Sequence, residues 1–178
     1  LRPADAVETT VAWKMALENT KVPTALILSR QGIKDIPAND ASRYDDALAA
    51  GKGAYAVKNT DKPDVILVGN GSEVSTLLEA TALLETQKGL KVRVVSAISD
   101  GLFRQQDQAY QDALIPSDVP VFGLTAGLPE TLRPIVGYRG EVFGLDHFGY
   151  SAPAKVLDEK FGFTGQQVFE KVVVFLNK

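Results

Sequence analysis

Residues 64 to 97 run DVILVGNGSEV, a stretch at helical spacing, and then VRVVSA, and this succession leaves few folds open. The apolar run Val65 to Val68 reads as a buried strand that ends in a tight glycine turn. Ser72 is placed to cap a helix on which Val74, Leu77, Leu78 and Ala82 share a face, and Gly89 closes it. A second apolar run, residues 92 to 97, follows at once. Strand, helix and strand of this length form a βαβ unit, which requires parallel pairing and a right-handed crossover.

The rest of the chain repeats the alternation. GAYAVK (53–58), PVFGLT (120–125) and GEVFGL (140–145) read as further strands. Phe103 to Leu114 reads as one helix stopped by Pro116, and AGLPETLRPIVG, with its two prolines, as holding only a short helix. SAPAKVLDEKFG reads as a helix capped by Ser151, and residues 166 to 178 as a final apolar helix. Strands that are apolar along their whole length, alternating with helices, predict a doubly wound, mostly parallel α/β sheet with helices on both faces.

The first residues do not belong to that pattern. Pro3 suits a first helical position, and Val7, Val11 and Met15, widened by Trp13 and Leu17, give a helix of about fifteen residues with one apolar face. TALILSR (24–30) then reads as a buried strand. One helix and one strand cannot build a core. Residues 1–31 are therefore expected to be the tail of another α/β domain, residues 32–52 a linker with a short helix over Ala41 to Ala50, and residues 53–178 a domain of their own. Opening at Leu1-Arg2-Pro3 without methionine, the sequence is expected to be a piece of a longer protein.

Composition removes several function classes. The formal net charge is −3 without a block of like charges, which argues against a nucleic-acid partner. No apolar run reaches the roughly 18 to 20 residues that cross a bilayer, and no secretory signal is visible, so no membrane partner is expected. Cysteine is absent, which excludes disulfides, thiolate nucleophiles and thiolate metal sites and fits a cytoplasmic protein.

Three places invite chemistry. GNGSEV (69–74) suggests a dinucleotide turn, but Val74 stands where a third glycine is needed, and the second strand ends in Ser96-Ala97-Ile98 rather than an acid; turn chemistry is the better reading. His147, the single histidine, follows Asp146, yet neighbours on an extended strand point to opposite faces, no cysteine nucleophile exists, and nothing in the sequence points to Ser151 as an activated one. With one histidine and no cysteine, a zinc or transition-metal site is not expected. Arg30 ends the strand TALILSR, and ligands of open parallel sheets lie beyond the strands' carboxyl ends. Its planar fork of donors suits a phosphate or carboxylate. The same position also allows pairing with a local acid such as Asp35 or with a helix C-terminus.

In order along the chain, RPADAVET, WKMAL, PTALILSRQ, GAYAV, GSEV with VRVVSA, and FG-x-SAPAKVL-x-EKFGFT resemble the C-terminal third of the transketolases. The resemblance implies a thiamine-diphosphate enzyme that moves a two-carbon ketol unit between sugar phosphates, as a homodimer with a divalent metal such as Mg or Ca. It implies that residues 1–31 end the pyrimidine-binding domain and that residues from 53 onward form the C-terminal domain, with packing and dimer contacts as its part. Arg30 matches the arginine of the family's SRQ motif, which contacts the substrate phosphate. The family's catalytic, cofactor and metal residues have no counterpart here, so the chain alone is expected to be inactive and to bind neither cofactor nor metal. SAISDGLFRQQDQAY and TAGLPETLRPIVGYRGEV depart from the family pattern. A different class of function remains open: a non-catalytic regulatory or subunit-interaction module, as closes deoxyxylulose-phosphate synthase and oxo-acid dehydrogenase β-chains.

Overall fold

The computed structural model describes residues 1–39 and 42–178. Its centre is one sheet of five strands: β1 (Tyr55–Lys58), β2 (Val65–Gly69), β3 (Val92–Ser96), β4 (Val121–Leu124) and β5 (Glu141–Phe143), in the order β1-β3-β2-β4-β5. β3, β2, β4 and β5 are parallel, with Val65 opposite Val92 and Ile66 opposite Val121, and β1 joins the β3 edge antiparallel. Every residue of β2, β3 and β4 is buried, as strands covered on both faces must be.

Alternation along β2 sorts the core into two layers. Val65 and Leu67 pack with α3 (Glu73–Lys88), α8 (Gly165–Leu176) and part of α1 (Ala6–Glu18), while Ile66 and Val68 pack with α4 (Asp100–Arg104), α5 (Gln108–Leu114) and α6 (Arg133–Val136). Helices therefore cover both faces, as the alternation of strands and helices predicts. On the second face Arg93 of β3 is buried and donates to the carbonyls of Ala113 and Leu114 at 2.9 and 2.8 Å, satisfying the last turn of α5.

Several local expectations change. The helix expected over Phe103 to Leu114 is two helices, because Asp107 accepts from the Tyr110 amide and caps a new start at Gln108. α1 begins at Ala6 rather than beside Pro3; the Asp5 carboxylate accepts from the Glu8 amide and sets the start. Ser72 holds the N-cap position of α3 in helical backbone, φ −58° and ψ −24°, from which its hydroxyl makes no capping bond. α7 (Ala154–Phe161) starts after Pro153 with no side-chain cap, so Ser151 does not fill that role. α8 instead carries a capping box between Thr164 and Gln167.

TALILSR forms no strand. Residues 24–29 are extended without strand pairing among the described residues, and Ile27 and Leu28 are 60 % and 53 % exposed. An extended segment becomes a sheet strand only beside another strand, and none of the five reaches it. The stretch read as a linker carries α2 (Arg43–Ala47) and a 3₁₀ turn (Leu48–Lys52) that pack on α1, with Ile36 buried beneath. The expected short helix there begins on Ala41, which lies outside the described residues.

Candidate functional site

The strand order reverses around β2, so the carboxyl ends of β2, β3 and β4 open on the place where such sheets usually hold ligands. Here the chain's own first residues lie across that edge. The Arg2 amide donates to the Ile98 carbonyl at 3.0 Å, and the Gly71 amide donates to the Arg2 carbonyl at 3.1 Å. The Arg2 guanidinium donates to Asn70 Oδ1 at 2.6 Å and Thr125 Oγ1 at 3.2 Å, and forms an ion pair with Glu73 at 2.5 Å. Burial raises the Glu73 carboxyl above its ordinary range, against the pull of Arg2, the Ser72 hydroxyl and the Ala126 amide. Beside this pair a cleft of about 450 Å³ opens between Asn70, Ser99, Asp100 and Thr131.

This arrangement explains the glycine turn without a nucleotide. Gly71 has φ +61°, and a Cβ there would stand 2.8 Å from Arg2 Nε. The glycine admits the arginine, and the arginine takes the space a diphosphate would need at the start of α3. Val74 is wholly buried in the core.

Arg30 lies elsewhere, at the end of the extended segment. Its side chain is exposed, and among the described residues it has neither a hydrogen bond nor an ion pair; Asp35 does not take it. It lines a cleft of about 920 Å³ with Gln31 and the loop Gly149 to Ala154. Gln31 Nε2 reaches Ser72 Oγ at 3.4 Å, and Lys34 pairs with Glu79 of α3 at 2.8 Å, so the Arg30 segment is fastened to the sheet domain on its far side. Across the cleft the Tyr150 ring stacks on Phe161 of α7 at 5.6 Å, with Lys160 Nζ 4.6 Å from its centre.

A match to the family described as "Transketolase-like TK C-terminal domain" covers residues 53–164. The chain belongs to the transketolase family. "Transketolase 1" of Vibrio parahaemolyticus is 43 % identical over 169 residues, 94 % of this chain and 25 % of that protein. "Transketolase" of Aquifex aeolicus is 42 % identical over 175 residues, 97 % of this chain and 25 % of that protein. Transketolase from Leishmania mexicana superposes over 99 % of this chain and 25 % of its own with a TM-score of 0.86 and 34 % identity. The chain thus spans about a quarter of the length of these transketolases.

Among the described residues no three His, Asp or Glu side chains are disposed to hold a metal ion. The buried carboxyls are engaged by the protein: Asp5 by Arg43 at 2.7 Å, Glu8 by Tyr55 at 2.7 Å and Glu73 by Arg2. The residues present do not fit a diphosphate–metal group. His147 is exposed, with Nδ1 2.8 Å from the Phe148 carbonyl and its ring 5.5 Å from Phe161; among the described hydrogen bonds none joins it to Asp146. Among the described residues no helix is long and apolar enough to cross a membrane.

Sequence reasoning missed the Arg2–Glu73 pair and the Asp5–Arg43 and Glu8–Tyr55 contacts. Charges at a helix start and a turn read as caps and solvated ends, and only the fold brings residues so distant in sequence together.

Proposed function

We propose that this chain is the C-terminal part of a thiamine-diphosphate-dependent transketolase that transfers a two-carbon ketol unit between sugar phosphates, with Arg30 holding the substrate phosphate. The observation that carries the reading is the state of Arg30. It is an exposed guanidinium without a protein partner among the described residues, facing a cleft, and it stands in the SRQ motif of a chain that matches transketolases over nearly its whole length. A fork of donors left unpaired beside open space suits a phosphate.

Thiamine diphosphate and a divalent metal belong, in this reading, to parts of the enzyme outside these residues, because the carboxyls here are already engaged. Residues 1–31 close the pyrimidine-binding domain, residues 32–52 connect, and residues 53–178 form the C-terminal domain. The uncovered apolar side chains Trp13, Leu17, Ile27 and Leu28 support that division, since a neighbouring domain or subunit would bury them. The complete enzyme is a cytoplasmic homodimer acting on sugar phosphates, and this part alone is inactive.

The test is Arg30→Ala in the complete enzyme. KM for a phosphorylated aldose acceptor is expected to rise by about a hundredfold, and KM for the unphosphorylated aldose to change little, since a bidentate charged contact is lost only with the former. Equal effects on both substrates would remove Arg30 from the phosphate site.

A further inference from the structure

In the glycine turn after β2, Asn70 stands directly before Gly71. A glycine carries no Cβ to shield its amide nitrogen from the carboxamide of the residue before it. The chemistry open to such a pair is closure of a succinimide ring. The peptide nitrogen is not nucleophilic while its lone pair is delocalised, so the Gly71 amide must first give up its proton. Its nitrogen then bonds to Asn70 Cγ, the Cγ–Nδ2 bond breaks, and the amide nitrogen takes up a proton and leaves as ammonia. Water opens the ring on either side. Breaking the new N–Cγ bond leaves aspartate at position 70, and breaking the original main-chain N–C bond leaves isoaspartate. Nothing is oxidised or reduced.

Arg2 opposes both halves of the first step. The Gly71 amide donates to the Arg2 carbonyl at 3.1 Å, so the attacking nitrogen is engaged and its proton held. Arg2 Nη1 donates to Asn70 Oδ1 at 2.6 Å, beside the Thr125 hydroxyl at 3.1 Å, so the carboxamide cannot turn freely. The arginine is itself fastened, by Glu73 at 2.5 Å and through its own amide to the Ile98 carbonyl at 3.0 Å. The far side of Asn70 is open. It lines the cleft of about 450 Å³, and its Nδ2 finds no acceptor among the described hydrogen bonds. Ammonia therefore has a way out and water a way in, and the hold on the pair comes from the chain's first residues.

We infer that Asn70-Gly71 is a self-modification site that Arg2 holds closed. When the segment Leu1 to Pro3 leaves the carboxyl edge of the sheet, Asn70 converts to aspartate and isoaspartate. The conversion is one-way. Isoaspartate inserts one more main-chain atom between β2 and α3, and Gly71, whose φ of +61° brings it against Arg2, no longer presents its amide at the same place. Aspartate puts a second carboxylate beside Glu73, in competition for the same guanidinium. Either product marks a molecule in which this edge has opened. The inference is independent of the reading of Arg30.

The experiment incubates the complete enzyme at mildly alkaline pH as wild type and as the double variant Arg2→Ala, Glu73→Gln, which removes the arginine without leaving a buried charge unpaired. Peptide mapping by mass spectrometry follows the exchange of amide nitrogen for oxygen at Asn70, and enzymatic methylation counts isoaspartate. Exposed Asn59, which precedes Thr60, is the reference within the same molecule. Wild type unfolded in urea gives the rate of the unguarded pair. Asn70 of folded wild type is expected to react at least about tenfold more slowly than in urea, the size of one hydrogen bond to a charged group. The double variant should regain about that factor, with isoaspartate among its products and the rate at Asn59 unchanged. A measurement on wild type alone stands beside it: hydrogen exchange should show the Gly71 amide protected in the folded enzyme. Equal rates at Asn70 in folded and unfolded wild type would overturn the inference. So would an unprotected Gly71 amide, or a double variant that reacts no faster than wild type.

Discussion

The Tyr55 hydroxyl donates to Glu8 Oε1 at 2.7 Å and so joins the first turn of α1 to the first strand of the sheet. Glu8 Oε2 accepts from the Ala4 amide at 2.6 Å, and the carboxyl is wholly buried. Burial raises its pKa above the ordinary 4.5, although Tyr55, Ala4 and Arg43 all favour the charged form. The folded chain therefore keeps a proton that the unfolded chain releases, and stability falls as pH rises from about 4.5 through the folded-state value. Glu8→Gln abolishes that titration. Relative to wild type, its stability should improve as pH is raised across this window, by urea unfolding at about pH 4 and about pH 7.5. A difference independent of pH would show that Glu8 titrates normally.

Arg2 and Glu73 make the equivalent bond on the carboxyl edge of the sheet, where Glu73 is nearly buried and Arg2 is partly open. Arg2→Ala leaves that carboxylate with only the Ser72 hydroxyl and the Ala126 amide. Removing one partner of such a pair costs about 3 kcal/mol. The double variant Arg2→Ala, Glu73→Gln should recover most of this, because no uncompensated charge remains. Chemical denaturation of these two variants and of Glu73→Gln alone measures it, and additive losses would show that the two side chains do not interact.

Much of this architecture could be read from residues 53 onward because β2, β3 and β4 are buried on both faces, which writes apolar runs, and each helix between the strands has its own cap or glycine stop. The two-helix break at Asp107 was written as well, in a helix-capping residue inside an apparently continuous helical stretch. The strand at TALILSR was misleading for a physical reason. An apolar run reads as a buried strand, but Ile27 and Leu28 are more than half exposed and none of the five strands lies beside the segment. Arg30 stood out because it ends that run with a charge. Arg2 did not, since an arginine before a proline resembles an ordinary solvated helix start, and its partners Asn70, Glu73 and Thr125 come from two later turns.

Phe122 of β4 is fully buried and meets Phe175 of α8 with ring centres 6.0 Å apart. Phe122→Ala should cost about 3 to 5 kcal/mol, since the cavity is closed by the sheet on one side and by a helix on the other and cannot collapse. Val174, one residue before Phe175, is exposed, and Val174→Ala should stay within about 0.5 kcal/mol. The contrast, read as denaturation midpoints, checks which face of α8 lies on the sheet; similar losses would mean the helix is rotated from the orientation described.

The extended segment supplies the sharpest contrast between this chain and the longer enzyme. Ile27 and Leu28 are more than half exposed, and apart from two bonds to Leu1, whose amino group donates to the Ala25 carbonyl at 2.6 Å and whose carbonyl accepts from the Ile27 amide at 2.9 Å, the segment has no strand pairing among the described residues. Ile27→Ser and Leu28→Ser should therefore change the stability of this chain by no more than about 0.5 kcal/mol each. In the complete transketolase the same side chains lie, under the function proposed above, within the sheet of the preceding domain. There each substitution buries a hydroxyl and removes apolar contact, at a cost of about 2 kcal/mol or more. Denaturation of both proteins in parallel decides the matter. Equal small losses in the two would place residues 24–30 on the surface of the enzyme and overturn the assignment of residues 1–31 to the preceding domain.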